Sequence, residues 1–305
     1  MARLFSRRKE FSDPMQRTST SKAGGELQWD LFLCNNARQL EHPMNNTNRT
    51  ALITGASTGI GYELAKLFAR DQHNLVLVAR SGPKLAQVAE ELRQQQGIAV
   101  KTIPLDLGLP QATQNLFEET QREGIYVDIL VNNAGYGRSG EFADVPLEEE
   151  YGQIQLNVTA LTLLTKLYLG PMLERRSGKI MNVASTAAFQ PGPLMAVYYA
   201  TKAYVLSFSE AIADELKGTG VSVTCFCPGA TLTEFQKRAQ TENSRLFKQL
   251  APMDAKTVAE DGYRALMAGK TLAISGLKNW LVAESVRFAP RKVVTAISRW
   301  VAEKV

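Results

Sequence analysis

Tyr198 and Lys202 stand four residues apart in a run, 197–217, whose apolar residues recur at helical spacing, so both side chains leave one helix face. An ammonium beside a phenol favours the phenolate and is expected to lower the tyrosine pKa, making the phenol a usable proton donor or acceptor. Tyr-x-x-x-Lys alone recurs by accident on helices, so the pair takes its meaning from its neighbours. Ser185 lies thirteen positions ahead of Tyr198, and Asn157 sits mid-run in an apolar helical stretch where asparagine is disfavoured. Together these groups suit a reaction in which negative charge builds on a carbonyl-derived oxygen. Tyr198 would supply the proton, Ser185 would orient and polarise the oxygen, and Asn157 would bind a water linking Lys202 to solvent. Tyr199 is the rival phenol, but the position four beyond it is Ala203.

The source of the electrons is written earlier in the chain. A β-rich run, 51–54, passes directly into Gly55-Ala56-Ser57-Thr58-Gly59-Ile60-Gly61 and then into a helical run ending at Arg70. Glycines free the backbone to approach a pyrophosphate, and the helix start offers unpaired N–H groups and partial positive charge. A dinucleotide therefore belongs here, with Ser57 and Ile60 in the turn that would touch it. Lys202 would hold its nicotinamide ribose. After the second strand, where an acidic residue would grip a ribose 2'-hydroxyl, the chain reads Val78-Ala79-Arg80-Ser81. The missing carboxylate and the guanidinium of Arg80 favour NADP(H) over NAD(H). Asp106, ending the third strand, is placed either to meet the adenine or to cap the next helix.

Positioning these groups requires strand ends that converge. From Arg49 onward, β-rich runs (50–54, 75–79, 100–105, 129–132, 179–184, 221–227 and 271–274) alternate with helical runs (59–70, 83–96, 111–122, 147–168, 197–217 and 257–268). The pattern predicts an α/β fold of Rossmann type, a doubly wound sandwich with a central parallel sheet of about seven strands, as one domain over 49–275. Asn132-Asn133-Ala134-Gly135, Ser185 and Pro228-Gly229 then fall at the carboxyl ends of strands, where ligands bind in such sheets.

Composition narrows the class. The 305 residues are 45% hydrophobic, which supports a sizeable core. Cys34, Cys225 and Cys227 are too few for a disulfide framework, and with His42 and His73 they make no zinc site, so no metal is expected. No uninterrupted apolar run of membrane-spanning length occurs. The net charge of +5 is uneven: +2 over 1–48, −2 over 49–269 and +5 over 270–305. A near-neutral middle gives no basic groove for nucleic acid, which is excluded as a partner. Residues 1–48 lack periodicity and read as a disordered extension, with Met44 as an alternative start; the chain is expected in the cytoplasm. Residues 276–305 form an amphipathic helical extension split by Pro290, in which Trp280, Phe288 and Trp300 interleave with Arg287, Arg291 and Lys292. Two readings of it stand: packing on the domain or a second subunit, and peripheral contact with an anionic membrane.

Over residues 49–275 the chain resembles the short-chain dehydrogenase/reductase family, through Thr54, Gly55, Gly59, Gly61, Asn132, Ala134, Gly135, Asn157, Ser185, Tyr198, Lys202, Pro228, Gly229 and Thr233. The glycine spacing differs from that of the longer epimerase branch. The resemblance implies a tetrad of Asn157, Ser185, Tyr198 and Lys202 that transfers hydride between NAD(P) and a carbonyl or hydroxyl, with Pro228, Gly229 and Thr233 contacting the cofactor amide. It also implies a lid over 233–252 above a small-molecule substrate, and a homo-oligomer is expected. Phe189, Met195 and Phe235 hint at an apolar substrate. A non-catalytic nucleotide sensor or scaffold on the same fold is the alternative, and the intact Ser185, Tyr198 and Lys202 argue against it.

Overall fold

The sheet starts with Thr-Ala-Leu-Ile-Thr, β1 (Thr50–Thr54), buried at every position, as a strand covered on both faces must be. The computed structural model describes residues 49–248 and 252–305. The N-terminal stretch expected to be disordered, Met44 and Cys34 included, lies outside the described residues. In chain order the further strands are β2 (Asn74–Ala79), β3 (Val100–Pro104), β4 (Ile129–Asn132), β5 (Gly178–Val183), β6 (Val221–Cys227), β7 (Thr231–Leu232), β8 (Met253–Asp254) and β9 (Leu272–Ile274). All but β7 and β8 join one parallel seven-stranded sheet, ordered β3-β2-β1-β4-β5-β6-β9. The sheet is the one expected from the sequence. Its order reverses between β1 and β4, where Leu52 faces Val76 on one side and Leu130 on the other. Chain leaving these two strands in opposite directions opens a crevice at their carboxyl ends.

The helices are α1 (Gly59–Arg70), α2 (Gly82–Gln96), α3 (Ala112–Arg122), α4 (Leu147–Ile154), α5 (Leu161–Glu174), α6 (Ala196–Glu215), α7 (Phe235–Ala239), α8 (Arg245–Lys248), α9 (Ala255–Met267), α10 (Leu277–Ser285) and α11 (Arg291–Ala302). Alternation along the strands sends side chains to two cores. Ile53, Leu75 and Leu77 meet Leu64 and Phe68 of α1, Leu92 of α2 and Leu266 of α9. Leu52, Val76 and Leu130 meet Leu116 of α3 and Leu164 and Met172 of α5. Local chemistry ends the helices where the sequence changes character. The Ser81 hydroxyl accepts from Lys84 N ahead of α2, Gly97 closes α2 at φ +67°, and Asp254 accepts from Thr257 N at 2.8 Å to cap α9.

The long helix expected over 147–168 differs from that expectation. α4 and α5 are joined by a π-helical turn, Gln155–Ala160, which holds Asn157. A π-turn inserts an extra residue and re-aims the side chains beyond it, and such turns recur at functional sites. The whole run Leu147–Glu174 is long and apolar enough to cross a membrane by length and composition, yet its inner face, with Gln153, Asn157 and Leu164, is built into the domain.

Phe68 is fully buried, with its ring edge-on to Tyr263 at 4.9 Å and to His73 at 5.5 Å. Phe68→Ala is expected to cost about 3–5 kcal/mol through lost transfer energy and the cavity left behind. The midpoint of urea unfolding checks this, and a loss under about 1 kcal/mol would place Phe68 outside the core that holds α1 to the sheet.

Candidate active site

Thr54, the last residue of β1, turns its hydroxyl inward and joins the two strands at the switch point. Its Oγ1 accepts from Asn133 N and Ala134 N, both at 3.0 Å, and donates to Val131 O at 3.2 Å. Asn133 Nδ2 returns the tie by donating to Thr54 O at 2.8 Å. The glycine turn is therefore pressed against the exit of β4. A Cβ on Gly55 (φ +67°) would stand 2.8 Å from Asn133 Nδ2, and one on Gly61 would strike the Gly55 carbonyl. α1 starts here with no side-chain cap from Thr58 and no acidic residue in its first turn. Its free N–H groups and partial positive charge face the crevice, as a pyrophosphate requires.

A cavity of about 760 Å³ opens at this end of the sheet. Gly55, Ser57, Gly59, Ile60, Arg80, Asp106, Ala134, Gly135, Ser185, Tyr198, Lys202, Pro228, Gly229 and Thr233 all line it. Four expected site residues do not. Thr54 and Gly61 support the turn from behind. Asn132 lies beneath the floor, where its Nδ2 donates to Thr165 Oγ1 and Asn182 Oδ1 in a buried polar network. Asn157 is buried with both ends of its amide engaged: Oδ1 accepts from Tyr136 N at 3.1 Å, and Nδ2 donates to Tyr136 O and Thr201 Oγ1. Through these bonds Asn157 clamps the loop after β4 to α6.

At the cavity's polar end, Arg80 NH1 stands 3.9 Å from Asp106 Oδ2, and both side chains remain substantially solvated. Asp106 does not cap α3, whose first residue is Ala112 preceded by Gln111. Its Oδ1 accepts from Gly108 N within a local turn. At the other end, Ser185 Oγ accepts from Ala187 N and donates to Pro228 O. Lys202 Nζ donates to Val183 O at 2.8 Å and lies 5.8 Å from the Tyr198 ring centre.

The electrostatics differ from the sequence expectation. Burial holds the Tyr198 phenol above its ordinary value, with the Ser185 hydroxyl pulling weakly the other way. Lys202 does not lower it here, because the ammonium is directed to the Val183 carbonyl and is itself held down, to about 8, by burial. The nearby Cys225 and Cys227 oppose that shift. Both cysteines are fully buried on β6 and fill space as small apolar groups.

The expected lid is tied down on several sides. Gln236 bridges Thr231 O and Thr233 N, Lys84 pairs with Glu234 at 2.7 Å, and Ser139 N donates to Ala239 O. Residues 249–251 of the expected lid lie outside the described residues. Phe235 stacks at a tilt 5.4 Å from Tyr198, and Met195 lines the cavity behind Leu194, a non-glycine residue at φ +68°. Strain of this kind is held in place by its surroundings, here by Gly140 N donating to Leu194 O. Phe189, expected beside the crevice, packs instead against the cluster of Leu161, Val205 and Cys225.

Residues 49–244 match the model of a family described as short chain dehydrogenase. The chain belongs to the short-chain dehydrogenase family. Among curated relatives, it is 36% identical over 192 residues to the uncharacterized oxidoreductase YvaG of Bacillus subtilis (63% of this chain, 71% of that one). It is 37% identical over 183 residues to the ketoacyl reductase HetN of Nostoc (60% and 63%). It is 36% identical over 193 residues to the very-long-chain 3-oxoacyl-CoA reductase of Anas platyrhynchos (61% of each). The chain thus matches less than two thirds of the length of two of these three relatives. Among solved structures, a short-chain dehydrogenase from Sphingobium yanoikuyae in complex with NADPH superposes with TM-score 0.71 at 34% identity, covering 79% of this chain and 94% of that one. The bulky-bulky ketone specific alcohol dehydrogenase from Comamonas testosteroni gives 0.68 at 30%, covering 80% and 93%.

In this short-chain dehydrogenase the sequence reading missed two kinds of site residue. Asn133, quoted in its motif, is the residue that locks the glycine turn, and Gly137 leaves room for Tyr198, since a Cβ there would lie 2.9 Å from the ring. The second kind is the far wall: Asn279, Val286, Val294 and Val301 of the C-terminal segment line the cavity. Their helical spacing is legible in the sequence, but the target of that face is not.

The Lys202 value has a thermodynamic consequence. Its folded-state pKa, about 8, lies below that of a solvated lysine at 10.5. Between these values the unfolded chain holds more protons, so stability rises with pH across that window. Lys202→Met is expected to flatten the rise, measured as urea midpoints at the two ends of the window; an unchanged slope would show that the ammonium is solvated.

Proposed function

We propose that this short-chain dehydrogenase is an NADP(H)-dependent reductase that interconverts an apolar ketone and the corresponding secondary alcohol, with residues 49–275 carrying the chemistry. The observation that carries the reading is the convergence of Ser185, Tyr198 and Lys202 with the Gly55–Gly61 turn on one cavity. A sensor has no use for a proton donor held beside an ammonium.

The cradle suits a dinucleotide. Glycines stand where a Cβ would block the turn, an uncapped helix start faces the cavity, and Arg80 lines the end where a 2'-phosphate would lie. Asp106 at 3.9 Å leaves the Arg80 guanidinium free to take a phosphate oxygen pair. When bound, nicotinamide supplies the hydride in reduction and accepts it in oxidation. The protein's own residues handle the oxygen. In reduction the carbonyl carbon gains hydride and the oxygen gains the phenolic proton of Tyr198. Ser185 hydrogen-bonds the same oxygen as charge develops, and Lys202, anchored on the Val183 carbonyl, would hold the nicotinamide ribose. Burial keeps Tyr198 protonated and ready to donate. Asn157 acts by positioning, since it holds Tyr136 and Thr201 on either side of the site.

Apolar substrates are favoured by Met195, Phe235 and the C-terminal wall, and two relatives carry names specifying 3-oxoacyl or ketoacyl reduction. The expected homo-oligomer is supported by an apolar strip on α4 to α6, where Leu147, Tyr151, Leu163 and Tyr204 are exposed.

An NADPH-oxidation screen against ketones, aldehydes and 3-oxoacyl thioesters tests the reaction class. Tyr198→Phe is expected to lower kcat by about 10²- to 10⁴-fold while NADPH affinity, read by fluorescence quenching, stays within a factor of a few; retained turnover would refute the proton assignment. Arg80→Ala is expected to weaken NADPH binding by about ten- to a hundredfold and NADH binding little. Equal effects on both cofactors would remove the 2'-phosphate assignment.

A further inference from the structure

α10 and α11 use one face each to close the cavity and leave another uncovered. Ala283, Val294 and Ser298 are buried against the domain, and ion pairs of Arg245 with Glu303 (2.7 Å) and Arg299 with Glu141 (3.1 Å) fix the segment in place. On the outer side Leu277 and Leu281, one turn apart, continue to Phe288, which is 88% exposed. On α11, Val293, Ile297 and Trp300 follow at the i, i+4, i+7 spacing of one helix face, and all are exposed. Half of the exposed large apolar side chains among the described residues fall within 277–305.

We propose that this outer face docks on an anionic lipid bilayer, and that the cavity it borders draws its apolar substrate from that bilayer. Charge selects the partner. Residues 270–305 carry +5 while 49–269 carry −2, and Lys278, Arg291 and Lys292 have no acidic partner among the described residues. Apolar side chains that enter the acyl boundary, tryptophans at headgroup level and unpaired cations against anionic headgroups are the elements of an interfacial helix. A second copy is the competing occupant. A two-fold pairing of this face with itself would bring two +5 segments together, whereas the exposed Leu147, Tyr151, Leu163 and Tyr204 on α4 to α6 offer a surface for self-association without that repulsion. Val282 and Ile297 are both exposed and part of the cavity lining, so the apolar surface runs over the rim into the site. The docking surface stands independently of the reductase reading; the source of the substrate rests on that reading.

The test is co-sedimentation of the full chain with vesicles of phosphatidylcholine, with and without phosphatidylglycerol, at low and high salt. Binding is expected only to the anionic vesicles, with loss in high salt. The double variant Leu281→Glu, Phe288→Glu, at positions outside the cavity lining, is expected to reduce binding at least about tenfold while reduction of a water-soluble ketone is unchanged. Equal sedimentation of wild type and variant, or binding indifferent to phosphatidylglycerol, would overturn the proposal. So would a variant that changes the oligomeric mass in light scattering and leaves sedimentation as it was, because a second copy would then be the occupant. Anionic-vesicle binding without turnover of any ketone would uphold the docking surface and defeat the reductase reading instead.

Discussion

The Thr54 hydroxyl sits where β1 and β4 send the chain in opposite directions, and it takes two backbone N–H groups from the β4 exit while donating to a third residue there. Everything at the carboxyl end of the sheet is referenced to that junction. Buried backbone donors left unpaired would each cost on the order of a kcal/mol or more. The Thr54 hydroxyl satisfies two of them, the Asn133 amide donates to the Thr54 carbonyl, and together these ties set how closely the glycine turn approaches the neighbouring strand. The fit leaves no space for a side chain at Gly55 or Gly61. The anion-binding start of α1 is thus held rigidly without any charged residue of its own.

A second constraint operates on the far side of the crevice. The π-turn at Gln155–Ala160 puts Asn157 between the main chain at Tyr136 and the Thr201 hydroxyl, one residue before Lys202. α6, the helix carrying Tyr198 and Lys202, is thereby registered against the loop that walls the cavity. Pre-organisation of this kind matters because a reacting oxygen must meet donors within a few tenths of an ångström. Burial tunes the same groups, raising Tyr198 and lowering Lys202. The low-dielectric setting that disfavours an isolated charge also strengthens each electrostatic contact made within it.

The covering segments show how a near-neutral domain closes its site. Lys84 with Glu234, and Arg245 with Glu303, are partly solvated pairs of small individual worth. They act by registering α7, α8 and the C-terminal segment over the cavity, so that its far wall is contributed from more than a hundred residues beyond the glycine turn.

Residue types and spacing were sufficient for the parallel sheet, the glycine turn and the group Ser185, Tyr198 and Lys202, because strand and helix periodicities are local and strand ends are where such sheets bind ligands. The chain's charge was legible too, down to its concentration in the last 36 residues. Other features depended on long-range packing. Asn132 and Asn157 sit in the chain like crevice residues, yet one lies beneath the floor and the other clamps a helix, since only the fold sets which neighbours take up their amides. Phe189 and Met195 are both apolar and near Ser185 in sequence, but one enters a core and the other the cavity. The Tyr198 phenol and the Lys202 ammonium, four residues apart, suggested mutual stabilisation; burial and the Val183 carbonyl decided their protonation instead. Spacing along a helix fixes which side chains are neighbours, whereas desolvation and hydrogen-bond partners come from chain that is distant in sequence.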